Sequence, residues 1–180
     1  MQTAPHPDAR EQRDNASFHA LMRALSRPGT VQKLPEPGAV LIAAALLDRE
    51  CRAYTDDAAL EVPLRQTGAA LVPLTEADHL FVTLGSAAAV TALGAAEVGS
   101  FLYPDGGATV IAPARIGEGA QLTLTGPGID GRLSLQLGDL HPSLWEARRR
   151  LCRYPEGIDL FFIDGARVIG LPRSTAVQEG

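Results

Sequence analysis

The sequence predicts an α/β protein, a three-layer α/β/α domain with a mixed sheet, and two observations lead to that prediction. Helical and strand-like segments alternate along the 180 residues, which is typical of α/β folds. Near the carboxyl end, residues 158–163 and 166–171 predict a hairpin with two apolar faces. A hairpin of that kind needs a covering layer on each side. Neither a repeat nor a linker divides the chain, so we expect a single domain over residues 1–180, with loose ends at 1–14 and 176–180.

The first helix is predicted from its spacing of apolar residues. Asn15 can cap a helix that runs to about Ser26, where Pro28 and Gly29 soon end it. An apolar face follows the i, i+3, i+4, i+7 pattern of a helix with Phe18, Leu21, Met22 and Leu25.

The middle of the chain is predicted as short alternating elements. Helices are expected up to residue 50, over 57–66 with a break at Pro63, and over 87–93 with Ser86 as its cap. Residues 94–107 read as a loop. Strands are expected over residues 30–34, 51–55, 80–84, 108–112, 121–125 and 132–137.

The last helix and the hairpin after it have sharper signals. Ser143 and Glu146 fit an S-x-x-E capping box that opens a helix ending near Tyr154. An alternative start places Pro142 at the first helical position. In the hairpin that follows, the dipeptide Asp164-Gly165 between two hydrophobic runs predicts a two-residue turn.

Composition excludes several classes of function. A net charge of −5 with a pI near 5.3 argues against a nucleic-acid binder, and 5% aromatic residues are too few for base stacking. The longest apolar run, residues 39–47, is too short for a membrane span. The first fourteen residues are polar, and Cys51 and Cys152 are far apart. We therefore expect a cytoplasmic protein with no signal peptide, no disulfide and no membrane contact.

Sequence motifs of catalysis are missing. The chain contains no GxGxxG, GxxxxGK[ST], GxSxG or HExxH. The glycine-rich segment 126–131 has strands on both sides, so it reads as a turn and not as a phosphate loop. Glu76, Asp78 and His79 stand close together, but one histidine among loop acids usually marks a solvated turn. We expect no metal site.

Two residues break the local pattern of polarity. Arg148 falls in the apolar stripe of the last helix, beside Trp145. Either its stem extends the guanidinium to water, or the charge meets a carboxylate or a partner surface. A surface that mixes Trp145, Arg148 and aliphatic residues suits a subunit contact, which predicts a homodimer. Asp159 lies in the apolar hairpin. It is either the last residue before the strand becomes buried or a polar group that is bonded to a neighbouring loop.

Two further groups of residues are candidates for binding. Arg173, Ser174 and Thr175 leave the hairpin together, and an arginine with two hydroxyls could hold an anion. The same residues are explained equally well by a structural role, in which they cap the end of the hairpin strand where the chain continues into the tail. Arg23 and Arg27 continue a row from His19 along the first helix, which is either a solvated face or a face for an anion or a partner.

Four segments resemble the family of the H subunit of the carbon–phosphorus lyase (PhnH). They read FHALMRALSRPG at 18–29, DGGATVI at 105–111, LTLTGPGI at 122–129 and YPEGIDLFFIDGARVIGLPRST at 154–175. The segments follow the family's order, with a divergent stretch between residues 40 and 99.

The resemblance implies an accessory subunit of a complex that couples a phosphonate to the ribose of a nucleoside triphosphate. It implies other subunits of the lyase as partners, phosphonate or nucleotide as a ligand, and a fold like that of pyridoxal-phosphate-dependent transferases without the cofactor. Lys33 is the only lysine and has no aromatic neighbour in sequence, which also argues against pyridoxal phosphate. The family supplies no catalytic residue to carry over.

Two other functions stay open from the residues alone. The chain could be a small transferase in its own right, or a simple module that binds an anion or a nucleotide. A self-sufficient enzyme would need a nucleophile, a base and an orienting group in one pocket, and the spacing of histidines and cysteines suggests no such set.

Overall fold

A computed structural model describes residues 7–180 of the chain. Over these residues the helices are α1 (Ala9–Ser26), α2 (Ala39–Leu46), α3 (Ala58–Gln66), α4 (Ala87–Leu93) and α5 (Ser143–Leu151). Short 3₁₀ turns occupy Leu74–Glu76 and Pro104–Gly106. None of the helices in the described part is long and apolar enough to cross a membrane.

The strands form two separate sheets. They are β1 (Gln32–Lys33), β2 (Arg52–Thr55), β3 (Ala70–Leu71), β4 (His79–Phe81), β5 (Thr109–Pro113), β6 (Arg115–Thr125), β7 (Leu133–Gly138), β8 (Asp159–Asp164), β9 (Arg167–Leu171) and β10 (Ala176–Glu179). The larger sheet has the order β1-β9-β8-β5-β4-β2-β3, and the smaller one is β10-β6-β7. In the larger sheet β3, β2, β4, β5 and β8 run parallel, while β9 runs antiparallel to β8 and β1. The predicted mixed sheet is confirmed, and the antiparallel sheet is an addition to it.

Both faces of the larger sheet are covered, because its central strands are apolar on both sides. Helices α1, α2 and α3 pack on one face, which Phe161 of β8 and Val168 of β9 help to form. Helices α4 and α5 and the smaller sheet pack on the other, against Leu160, Phe162 and Ile169. The alternation predicted for the hairpin is therefore confirmed. The third layer contains the β10-β6-β7 sheet in addition to helices.

The hairpin turn lies one residue later than predicted. Asp164 pairs with Arg167, so the central turn residues are Gly165 and Ala166, and only Gly165 has a positive φ of 59°. The shift places Gly170 opposite Phe161. A Cβ at Gly170 would lie 2.6 Å from the backbone of Ala24, so the missing side chain lets α1 pack directly on β9.

Regular structure extends into both expected loose ends, while residues 1–6 of the first lie outside the described residues. Helix α1 begins at Ala9 and not near Asn15, because Asp8 and Glu11 form a capping box with bonds of 2.8 and 2.9 Å. The tail forms β10, which pairs with β6. The predicted apolar face of α1 is also displaced, since Phe18 and Met22 are 45% and 51% exposed. Small residues face the sheet instead, together with Leu21: Ser17, Ala20 and Ala24.

The start of α5 differs from the predicted capping box. Pro142 occupies the cap position with helical φ and ψ, and no side chain caps the helix. The Ser143 hydroxyl lies 2.8 Å from Nδ1 of His141 instead. This agrees more closely with the alternative start at Pro142, and the helix ends at Leu151, before Tyr154.

Candidate functional site

A cleft of about 880 Å³ lies between α5 and the chain that joins β9 to β10. Its walls come from the two groups that the sequence analysis singled out, the stripe of the last helix and the exit of the hairpin. The lining residues are Pro127, Trp145, Arg148, Arg149, Cys152, Tyr154, Arg173, Ser174, Thr175, Ala176, Val177 and Gln178. The fold therefore brings together, in one cleft, two groups of residues that the sequence had suggested separately.

Arg148 ties α5 to the segment before β10. The side chain is buried, and its two terminal nitrogens donate to the backbone oxygens of Thr175 at 2.8 Å and Pro172 at 2.7 Å. The guanidinium is neither extended to water nor paired with a carboxylate, and the alternative of a partner surface stays a prediction. The guanidinium satisfies carbonyl groups that the hairpin exit would otherwise leave without donors.

The electrostatics of Arg148 reflect this burial. Desolvation lowers the pKa of the guanidinium, while the nearby Cys152 and Asp159 raise it. Two buried polar atoms at the interior wall of the cleft, Nε of Arg148 and Oγ1 of Thr175, are without a hydrogen-bond partner among the described residues.

Trp145 packs inside the chain. It is 3% exposed, and its ring meets Phe162 edge-on with centroids 6.0 Å apart. A partner could reach Trp145 or Arg148 only through the cleft. The homodimer stays a prediction, since the two residues that motivated it are buried within one chain.

Arg173 is held by a carboxylate. Its backbone N–H donates to Asp159 at 2.7 Å, and its guanidinium forms an ion pair with the same side chain, also at 2.7 Å. Two N–H groups of the same guanidinium donate to the backbone oxygens of Pro104 and Gly107. Asp159 is thus bonded to the neighbouring exit segment, one of the two alternatives considered. Because protein groups occupy the guanidinium of Arg173, it is not a free anion-binding cation.

The groups still open to the cleft are few. Arg149 is exposed and makes no ion pair within residues 7–180, and Ser174 is half-buried. Cys152 is half-buried too, with its thiol 3.6 Å from the oxygen of Ile158. Among the described residues that line the cleft there is no histidine, aspartate or glutamate. The arrangement suits binding of an anionic group better than acid–base chemistry.

Arg23 and Arg27 lie elsewhere. Both are exposed, Arg23 in the last turn of α1 and Arg27 immediately after the helix, on the face of the larger sheet opposite α5. Neither side chain makes an ion pair in the part of the chain that the structure describes. The structure therefore does not bring this row together with the cleft.

The loop over residues 94–107, which the sequence also offers as a surface for a partner, bears an exposed apolar tip whose residues the sequence analysis did not single out. Phe101, Leu102 and Tyr103 are 75%, 79% and 71% exposed, and Tyr154 at the rim of the cleft is 77% exposed. The loop that bears the tip is anchored through Arg173, which bonds Pro104 and Gly107. Three large apolar residues in succession within a predicted loop were the available signal.

The carboxyl ends of the parallel strands, where open α/β sheets usually bind ligands, are occupied by the chain itself. Asp56 follows β2, and its carboxylate accepts from the backbone N–H of Thr83 at 2.9 Å and from its hydroxyl at 2.8 Å. This bridge spans β2 and β4, where the strand order reverses. Cavities of about 220 and 260 Å³ flank the bridge.

Comparison with known proteins identifies the family. A family model described as "Bacterial phosphonate metabolism protein (PhnH)" matches residues 7–178. The chain belongs to the PhnH family. It is 32% identical over 172 residues to the "Putative C-P lyase subunit protein HtxG" of Stutzerimonas stutzeri, with 92% of this chain and 86% of the relative covered. It is 28% identical over 179 residues to the "Alpha-D-ribose 1-methylphosphonate 5-triphosphate synthase subunit PhnH" of Rhizobium meliloti, with 89% and 88% covered.

The segments that resemble the PhnH family meet in space. A Cβ at Gly29 would lie 2.5 Å from Leu124, and one at Gly128 would lie 2.5 Å from the oxygen of Ser26. The hairpin segment reaches the segment that leads into β5 through the bonds of Arg173. The segments that resemble the family therefore form one contiguous region of the structure. Pro127, in one of these segments, lines the cleft.

Proposed function

We propose that this chain is an accessory, non-catalytic subunit of a carbon–phosphorus lyase core complex, needed when the complex couples a phosphonate to the ribose of a nucleoside triphosphate. Membership in the PhnH family supports the proposal, as do two relatives matched over most of their length, one named as a putative C-P lyase subunit and the other as a subunit of a ribose methylphosphonate triphosphate synthase. The observation that carries it is the cleft beside α5. It offers arginine and hydroxyl groups without an acid–base pair among its described lining residues.

The contact with partner subunits is assigned to the apolar tip 101–103 and to Tyr154. Large apolar and aromatic side chains that are more than 70% exposed are enriched at the centres of protein interfaces and uncommon elsewhere on a surface. Arg173 fixes the base of the loop, so that the tip is presented from a rigid support. A stable position lowers the entropic cost of binding.

Size-exclusion chromatography with the partner subunits tests this assignment. Leu102→Ser together with Phe101→Ser should abolish co-elution, because the apolar contact is lost. Val62→Ser is the matched control, since Val62 is 63% exposed on α3, away from the tip. Co-elution that survives the double substitution would refute the assignment of this surface.

A second candidate role, binding of an anion by the cleft, is favoured by its lining. Arg149 has no ion-pair partner in the described residues, and Ser174 lies on the facing wall. A phosphate or phosphonate group there would receive a charge-assisted hydrogen bond from Arg149. The ligand would be a phosphonate or the phosphates of a nucleotide.

Calorimetric titration with inorganic phosphate, methylphosphonate and ATP tests the anion role. Arg149→Gln should weaken binding by about 1.5–3 kcal/mol, the contribution of a hydrogen bond to a charged group. Arg153→Gln is the control, since Arg153 is equally exposed nearby and does not line the cleft. Equal affinities for both variants would exclude the cleft as the anion site.

A further inference from the structure

Three side chains with metal-binding atoms meet at the amino ends of two parallel strands. Cys51 immediately precedes β2, Asp78 immediately precedes β4, and His79 is the first residue of β4. Because β2 and β4 are parallel neighbours, with Ala53 opposite His79, their beginnings lie side by side. The thiol, a carboxylate oxygen and a ring nitrogen are all within 4.8 Å of one another.

We propose that Cys51, Asp78 and His79 bind a divalent transition-metal ion of the zinc class. Thiolate sulfur, imidazole nitrogen and carboxylate oxygen are the three kinds of ligand that zinc takes in proteins. Ligand atoms around a tetrahedral ion with bonds of this type lie roughly 3.3–3.8 Å apart. A pair at the 4.8 Å limit must therefore close by about 1.5 Å, whereas Asp78 and Nδ1 of His79, which lie 2.7 Å apart, must separate slightly. Three protein ligands leave the fourth position to water.

The surroundings of the three ligands hold them in place. The Asp78 carboxylate lies 2.7 Å from Nδ1 of His79 and accepts from the backbone N–H of Arg52 at 3.0 Å. On binding, the ion takes the place of the proton that Nδ1 of His79 and Asp78 share, so that the same two atoms become ligands. The cluster is half-buried, with the side chain of His79 18% exposed and that of Asp78 31% exposed. An ion there would be accessible from solvent yet partly shielded from it.

Two features of the site oppose binding of a cation, and they determine which metal ions we expect it to select. Burial raises the pKa of the Cys51 thiol, so the ion must displace a proton. The guanidinium of Arg52 lies 3.6 Å from Asp78 and repels a cation. A soft or borderline ion with high affinity for sulfur overcomes these costs more readily than Mg²⁺ or Ca²⁺, which prefer oxygen ligands.

The cluster could not be assembled from the sequence, which led us to expect no metal. Asp78 and His79 stood beside Glu76 in the chain, but the third ligand comes from a different strand. Glu76 is exposed in the 3₁₀ turn and is not part of the group. Such an ion would tie the start of β2 to the start of β4 and so stabilise the folded chain.

Metal content and binding can be measured on the untagged, full-length protein. Zinc titration against a chromogenic chelator should give one ion per chain, and cobalt should give a thiolate charge-transfer band. Cys51→Ser and His79→Gln should each weaken binding by more than about 100-fold, since loss of a group that only orients a ligand already costs about 10- to 100-fold. Cys152→Ser and His19→Gln are the matched controls and should bind like the unmodified chain.

A third variant tests the opposing charge. Arg52→Gln should tighten zinc binding by about two- to fivefold, the scale of a half-exposed charge interaction. The proposal is overturned if no ion binds at micromolar zinc, or if the Cys51→Ser and His79→Gln variants bind as tightly as their controls. Should Cys51→Ser fail to fold, the comparison of His79→Gln with His19→Gln decides the matter.

Discussion

The carboxyl edge of the parallel strands and the cleft beside α5 differ in what fills them. At the carboxyl edge, Asp56 bridges to Thr83 and occupies the point where the strand order reverses. The cleft is open, with a volume of about 880 Å³, and its walls come from segments outside the five parallel strands. The usual ligand position of an open α/β sheet is thus bridged by the chain and flanked only by cavities of about 220 and 260 Å³, and the larger opening lies where the additional elements meet.

The arginines around the cleft repeat this contrast on a smaller scale. Arg148 and Arg173 are tied to protein groups, while Arg149 on the same helix has no ion-pair partner within residues 7–180. Arg148 and Arg173 hold the walls of the cleft together, whereas Arg149 faces its opening. Neighbouring residues of one type therefore have different roles, which substitution can separate.

The largest expected effect is on stability at Arg148. Arg148→Met keeps an apolar stem but leaves the oxygens of Thr175 and Pro172 without their donors. We expect a loss of about 2–4 kcal/mol in the free energy of unfolding, measured by urea denaturation. Arg149→Met should change it by less than about 0.5 kcal/mol. Equal effects would mean that Arg148 does not join α5 to the tail.

A smaller effect is expected at the ion pair of Asp159 and Arg173. Both side chains are less than one-fifth exposed, so Asp159→Asn should lower the free energy of unfolding by about 1–3 kcal/mol. A double-mutant cycle with Arg173→Gln should give a coupling of about 0.5–3 kcal/mol in denaturation experiments. Additive losses would show that the two side chains act independently.

The smallest effect is expected at the carboxyl edge. Asp56→Ala removes the acceptor for Thr83 at an exposed position, which should cost about 1 kcal/mol in thermal or urea unfolding. Anion binding and complex formation should be unchanged. If Asp56→Ala alters either of them, the carboxyl edge is a functional site and the contrast between the two regions is wrong.

The sequence predicted local structure better than long-range contacts. The two faces of the hairpin and the helix capped by Ser86 were confirmed, because periodicity and capping are encoded by neighbouring residues. Strand β10 was missed because its pairing with β6 depends on residues far along the chain. The start of α1 was missed because Asn15 was taken as its cap, whereas Asp8 begins the helix.

The same limit applies to the candidate site. Arg148 was recognised as out of place in an apolar stripe, but its partners are backbone carbonyls. Every residue has a carbonyl, so no sequence pattern marks the two that accept. Arg173 was predicted either to hold an anion or to belong to a capped exit into the tail, and its partner Asp159 had been noticed separately. Only the register of β8 and β9 brings these two side chains together.

The central claim, that this PhnH-family chain acts as an accessory subunit, is tested most directly by turnover. The purified chain is incubated with methylphosphonate and a nucleoside triphosphate, alone and with the partner subunits, and release of the base is measured. We predict no release by the chain alone and release when the partner subunits are present, lost again when this chain is omitted. Release by the isolated chain, abolished by a single substitution in the cleft such as Cys152→Ser, would contradict the account and identify the protein as an enzyme.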